Sequence, residues 1–247
     1  DALFTNISGD GGVAVCANAL FYTTASYQTA VGFNAGSQIS TGRYQVAIGA
    51  YTLGGGNTGA NYVTGENNTA VGYSALAKAT SADQNTAVGS LALTNLTTGA
   101  TNVAVGYYSM QQMLSGANNV AVGTFAMYSG TSGNNNVAVG KYALAGNASP
   151  GTESTAIGHY ALYANTSSTN TAVGAYAGLN TTSGSLNTML GGQSMYTNIT
   201  GERNVAVGFN AMYTFNTTGQ TDNVAVGLNS GYSLKTGTAN TFVGNYS

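Results

Sequence analysis

The sequence predicts an all-β fold, a parallel β-solenoid of about fourteen rungs, and three observations lead there. A segment that reads NNTAVGYSAL at residues 67–76 returns along nearly the whole 247-residue chain, as NTAVGSLAL, NVAVGYYSM, NVAVGTFAM and NVAVGKYAL among others. The glycine that closes it recurs at Gly32, Gly49, Gly72, Gly89, Gly106, Gly123, Gly140, Gly158, Gly174, Gly191, Gly208, Gly227 and Gly244, with Cys16 in the same slot, and the usual step is 17 residues. The residues before the glycine alternate Thr or Val, Ala, Val, which is a strand pattern. A fixed period of this length identifies stacked units, each of which buries its apolar face against its neighbours.

Taking the rung in order, the three residues ahead of the glycine form a short strand. Side chains alternate faces there, so Thr or Val and the final Val share one face and Ala takes the other. Helix is disfavoured, because β-branched residues flank the Ala and a glycine follows. After the glycine come an aromatic or Asn two positions on (Tyr108, Phe125, Tyr142, Tyr160, Tyr176) and then Ala or Ser followed by Leu or Met, read here as a second short strand. The rest of the rung makes turns marked by TTG, NTTSG, NITG and NTTG. Fourteen rungs at about 4.8 Å each give a rod on the order of 65 Å.

Four residues before the register glycine stands Asn68, Asn85, Asn102, Asn119, Asn136, Asn170, Asn187, Asn204, Asn223 or Asn240. Stacked rungs align these into a structural amide ladder that caps turn backbone. The Leu and Met rank is assigned to core or subunit interface. A thin rung leaves apolar columns exposed, and a rank of small Ala residues lets parallel chains approach closely, so a parallel homotrimer is expected.

Composition narrows function. Charged residues make up 5% of the chain, with seven acids against five bases, where ordinary domains carry roughly a quarter. No basic stripe exists to neutralise a phosphate backbone, which excludes nucleic acid as a partner. No apolar run approaches the roughly 20 residues that span a bilayer, so no membrane insertion by this segment is expected. One cysteine and one histidine, Cys16 and His159, furnish neither a disulfide framework nor a zinc site. His159 occupies a variable outward slot, and the acids share no repeat position. Catalytic, metal and cofactor sites are all expected to be absent. Residues 1–247 read as a single repeat domain, a segment of a longer fibre protein.

The (S/N)-(T/V)-A-(V/I)-G units followed by x-x-(A/S), from about Val13 to Gly244, resemble the head repeats of YadA-like trimeric autotransporter adhesins. The NTAVG-x-x-AL pattern with its 17-residue step and Thr-Thr-Gly corners, as at Thr97-Thr98-Gly99, is similar to repeats of bacteriophage tail fibres. The resemblance implies a left-handed β-roll, a trimer, and attachment to a host surface glycan or protein receptor alongside other fibre or virion proteins. It implies an extracellular place, on a virion tail fibre or a cell-surface appendage, and no catalytic residues. The alternatives are the head of a bacterial adhesin, a glycan- or ice-binding solenoid, and an enzyme acting on surface glycans. An ice face calls for paired Thr on nearly every rung, whereas here the slot before Ala alternates Thr with Val.

One irregularity draws the receptor question. The step from Gly49 to Gly72 is 23 residues, and residues 53–66 read as an enlarged loop. Loops on regular scaffolds carry recognition, which makes Asn57, Asn61 and Tyr62 the candidate receptor contacts. Seventeen tyrosines, several at matching positions, are the second candidate surface.

Overall fold

A computed structural model describes residues 2–3, 9–56 and 62–247. Among them there is no helix, and there are sixteen strands of three residues each. The chain divides into two compact units, Asp1–Thr124 and Phe125–Ser247, and each is a parallel β-solenoid.

In the first unit, β1 (Val13–Val15), β2 (Thr29–Val31), β3 (Val46–Ile48), β4 (Thr69–Val71), β5 (Thr86–Val88), β6 (Val103–Val105) and β7 (Val120–Val122) pair in parallel, each with the next. In the second, β8 (Val137–Val139), β9 (Thr155–Ile157), β10 (Thr171–Val173) and β11 (Thr188–Leu190) run on in the same way. There β12 (Thr200–Glu202) and β14 (Thr218–Gln220) pair only with each other, while β13 (Val205–Val207), β15 (Val224–Val226) and β16 (Thr241–Val243) continue the main sheet. Register is like on like: Thr69 lies beside Thr86, Ala70 beside Ala87 and Val71 beside Val88.

Two expectations need correction. The segment after the register glycine is not a second strand. Its backbone turns left-handed at alternate residues, with φ of 128° at Gly72, 53° at Ser74 and 50° at Leu76, so it coils where a strand would extend. Its amides still serve the stack: Ser74 N–H donates to the Ala50 carbonyl at 3.0 Å and Leu76 N–H to the Ala92 carbonyl at 3.0 Å, in opposite directions along it. The Ala rank, moreover, faces inward. Ala70, Ala87, Ala104 and Ala121 are fully buried, as are Leu76, Leu93 and Met110. With one strand and one coiled side per rung, the interior has room for a methyl group on the strand and a long side chain opposite it. The Ala rank is therefore part of each chain's own core and cannot bring neighbouring chains together.

Exceptions in this core compensate each other. Where β11 carries Met189 in the Ala slot, the facing Leu or Met position holds Gly178, and a Cβ there would come within 2.6 Å of the Met189 sulfur. Phe242 in β16 is matched in the same way by Gly231, whose Cβ would stand 3.3 Å from the Phe242 ring. Summed volume is kept while its distribution between the two sides changes.

The enlarged loop is narrower than the sequence suggests. Leu53 is fully buried and its N–H donates to the Ala75 carbonyl at 2.9 Å, while Val63 N–H donates to the Gln38 carbonyl at 2.9 Å and Val63 bridges Ile39. Both flanks thus belong to the stack. Asn57 and Asn61 lie outside the described residues.

Candidate receptor-facing surface

The asparagines four residues before the register glycines are the hydrogen-bonding spine of the stack. Asn85 N–H donates to Asn68 Oδ1 at 3.0 Å, Asn85 Nδ2 donates to the same oxygen at 3.1 Å, and Nδ2 also donates to the Gly99 carbonyl at 2.9 Å. The same arrangement joins Asn102 to Asn85, and Asn119 to Asn102 through both of its donors. In the second unit it joins Asn187 to Asn170, Asn204 to Asn187, Asn223 to Asn204 and Asn240 to Asn223. Asn136 Nδ2 donates to the Gly151 carbonyl at 3.0 Å, and Asn136 Oδ1 accepts from the Ser154 N–H at 2.9 Å.

Three substitutions in this slot keep the spine intact. Ser154 is too short to carry the amide contact, and Asn165 supplies it, accepting from Asn170 Nδ2 at 3.0 Å and donating to the Pro150 carbonyl at 2.9 Å. In the first unit Gln28 and Gln45 take the slot: Gln28 Nε2 donates to the Gly42 carbonyl at 2.7 Å, and Gln45 Oε1 accepts from Asn68 N–H at 3.1 Å. Buried amides with every group spent this way hold backbone and have nothing left for a ligand.

The register glycines, Gly72, Gly89, Gly106, Gly123 and Gly140 among them, are fixed by close approach. A Cβ at Gly106 would stand 2.6 Å from the Gly123 carbonyl oxygen, at a φ of +133°. That angle lies outside the ordinary left-handed well, unlike the values near 50° at Leu76 and Leu93.

What faces solvent is the outer side of the strands. Val15, Ile48, Val88 and Val122 in the first unit are 50%, 39%, 37% and 37% exposed. Ile157, Leu190, Val226 and Val243 in the second are 39%, 47%, 38% and 69% exposed. They form one apolar row per unit, beside a parallel row of Thr or Val three residues before the glycine.

A second surface is aromatic. In the second unit, Phe125, Tyr142, Tyr160 and Tyr176 stack face on face, with centroids 5.0, 4.9 and 5.7 Å apart. Tyr196, Tyr213 and Tyr232 form another stack at 5.0 and 5.2 Å. Burial, then the charges of neighbouring tyrosines, push the Tyr160 and Tyr213 phenols above the ordinary value of 10.0. Rings stacked on both sides offer a ligand their edges and hydroxyls and keep their faces for each other.

His159 packs edge-on against Tyr160 and Tyr176 at 4.5 and 5.2 Å, and no cluster of metal-ligating side chains occurs among the described residues. The ion pair from Arg203 to Asp222, at 2.6 Å, is solvent-exposed and adds little. No helix of the described residues is long and apolar enough to cross a membrane.

Tyr62, the described member of the predicted contact loop, is 43% exposed and meets Tyr22 edge-to-face at 6.2 Å. Tyr22 lines a groove of about 440 Å³ with Asn18, Phe21, Asn34, Ser37, Gln38, Tyr51, Gly55 and Gly56. Sequence reasoning missed this group. The available signal was irregularity: Cys16 replaces a register glycine, Gln28 and Gln45 replace ladder asparagines, and Gly36 stands in the Leu slot.

Set against protein-family models, curated proteins and solved structures, the chain matches none. Its fold and surfaces define it as a β-solenoid repeat protein.

Proposed function

We propose that this chain is a non-enzymatic structural and adhesive protein, the shaft or head of a parallel homotrimeric fibre on a phage tail or a cell-surface appendage, that attaches to a host surface. The observation that carries the reading is the outward apolar row. Solvent-facing Val, Ile and Leu recur in register from strand to strand, on a chain with 5% charged residues. Continuous apolar surface of that kind marks a place of association. A column repeated along a stack matches the same column on a second copy rung by rung, which favours chains arranged in parallel about a common axis. On this reading the interface lies on the outer face of the strands, since the Ala rank is used inside each chain. Amides fully engaged in the ladder and tyrosine faces stacked on one another support a structural role.

The test is the native mass of the full chain together with a variant that carries Val88→Lys and Val122→Lys. Both side chains point away from the core, so the variant is expected to keep its strand spectrum and become monomeric. An unchanged mass would remove the outer face from the interface.

A second reading is favoured by Thr29, Thr69 and Thr86 in the first unit and Thr155, Thr171 and Thr188 in the second, which share the outward face with the valines. Outward hydroxyl and methyl groups of this kind suit an ice surface, although Val takes the same slot in β3, β6, β7, β8, β13 and β15. A monomer with thermal hysteresis would establish this reading in place of the fibre.

A further inference from the structure

We infer that the groove formed by Asn18, Tyr22, Asn34, Ser37, Gln38 and Tyr51 in the first unit is a binding site for a neutral saccharide. The inference names the ligand class for the adhesive role proposed above and rests on that reading.

Three features of the groove converge on a sugar. Its volume, about 440 Å³, falls within the roughly 300–1,000 Å³ of small-molecule sites. Its polar groups are unspent. Asn18 Nδ2 donates to Asn34 Oδ1 at 3.0 Å, and this leaves Asn18 Oδ1 free to accept and Asn34 Nδ2 free to donate. The Gln38 amide and the hydroxyl of Ser37, a residue only 6% exposed, also have no hydrogen-bond partner among the described residues. Fixed amide and hydroxyl groups of alternating donor and acceptor character are what adjacent sugar hydroxyls require, since each of those both donates and accepts.

The aromatic rings supply the third feature. Tyr22 meets Phe21 at an interplanar angle of 78° and Tyr62 at 73°, and Tyr51 meets Phe33 at 82° and Tyr73 at 81°. The rings of the second unit cover one another in parallel, at 4° and 6° for the Phe125–Tyr142 and Tyr160–Tyr176 pairs. At the groove no ring among the described residues stacks in parallel on Tyr22 or Tyr51, and the apolar C–H side of a pyranose packs on an aromatic face of this kind. Among the described residues no Asp, Glu, Lys or Arg lines the groove, which argues against charge pairing as the basis of recognition and selects an uncharged sugar. Gly55 keeps the loop flank tight against this wall, because a Cβ there would collide with the Asn34 carbonyl.

The experiment is calorimetric titration of the full chain with a panel of neutral hexose and N-acetylhexosamine oligosaccharides, with sialylated and sulfated ones as charged controls. At least one neutral oligosaccharide is expected to bind. Tyr22→Ala and Gln38→Ala should each weaken it tenfold or more, and Tyr213→Ala, in the stacked column of the second unit, should leave it unchanged. Strand content by circular dichroism verifies that each variant is folded. Absence of binding by every neutral sugar, binding unaffected by Tyr22→Ala, or equal binding of the charged controls would overturn the inference. Native mass is measured on the same samples. A trimer that binds no neutral sugar refutes the groove and leaves the fibre reading standing, whereas a sugar-binding monomer refutes the trimeric fibre and leaves the groove.

Discussion

At the scale of the residue, the fold depends on two requirements that recur in every full rung, a glycine without a side chain and an amide without a free hydrogen bond. The glycine requirement is steric. At Gly106 an added Cβ meets the Gly123 carbonyl oxygen at 2.6 Å with φ at +133°, so Gly106→Ala should cost about 3 kcal/mol or more, read as a fall in the urea midpoint. The amide requirement is one of accounting. Removing the Asn102 side chain leaves the Gly116 carbonyl and the Asn119 N–H without their partners in a site closed to water. Asn102→Ala should therefore cost on the order of 3 kcal/mol. The tyrosine stacks add a pH dependence. Tyr160 and Tyr213 hold their protons more tightly in the fold than in the unfolded chain, so the unfolded state releases them first as pH rises. Their full contribution is present below about pH 10 and is lost as pH climbs through the higher folded-state value. Denaturant midpoints measured against pH should fall less steeply for Tyr160→Phe than for the parent.

At the scale of the element, a rung is one short strand closed by a coiled side, and its core is a negotiation between the two. Met189 and Gly178 state the rule most clearly. Met189→Ala should open a cavity and cost about 2–4 kcal/mol, and Gly178→Leu should overpack and cost about 1–3 kcal/mol. The double variant should recover much of both losses, because it restores the arrangement of the other rungs, with a coupling of about 2 kcal/mol in a double-mutant cycle. The left-handed backbone is no obstacle to leucine, since Leu76 and Leu93 occupy the equivalent position with φ of 50° and 49°. The strand, the register glycine and the amide position were legible in the sequence, because each is a local requirement printed once per rung. The direction of the faces was not. Alternation of Val, Ala and Val separates two sides without saying which is inward, and hydrophobicity alone favours valine inside. The narrow interior decides for the methyl group. The coiled side was misread as a strand because its Leu and Met recur like strand residues, while the left-handed turns at Ser74 and Leu76 leave no mark in composition.

At the scale of the whole molecule, the inward Ala rank moves any contact between chains to the outer Val, Ile and Leu row, which is where the proposed trimer would form. The saccharide groove was illegible for the opposite reason to the ladder. It arises where the first rungs depart from the repeat, at Asn18, Asn34 and Gln38, and a periodic reading averages such departures away. The measurement that bears most directly on the account is the native mass of the full chain by light scattering. A particle of about three times the 24.7 kDa chain, reduced to one chain by Val88→Lys with Val122→Lys, is the expected result. A parent protein that runs as a monomer would contradict the fibre reading and leave the outer valine row without a partner.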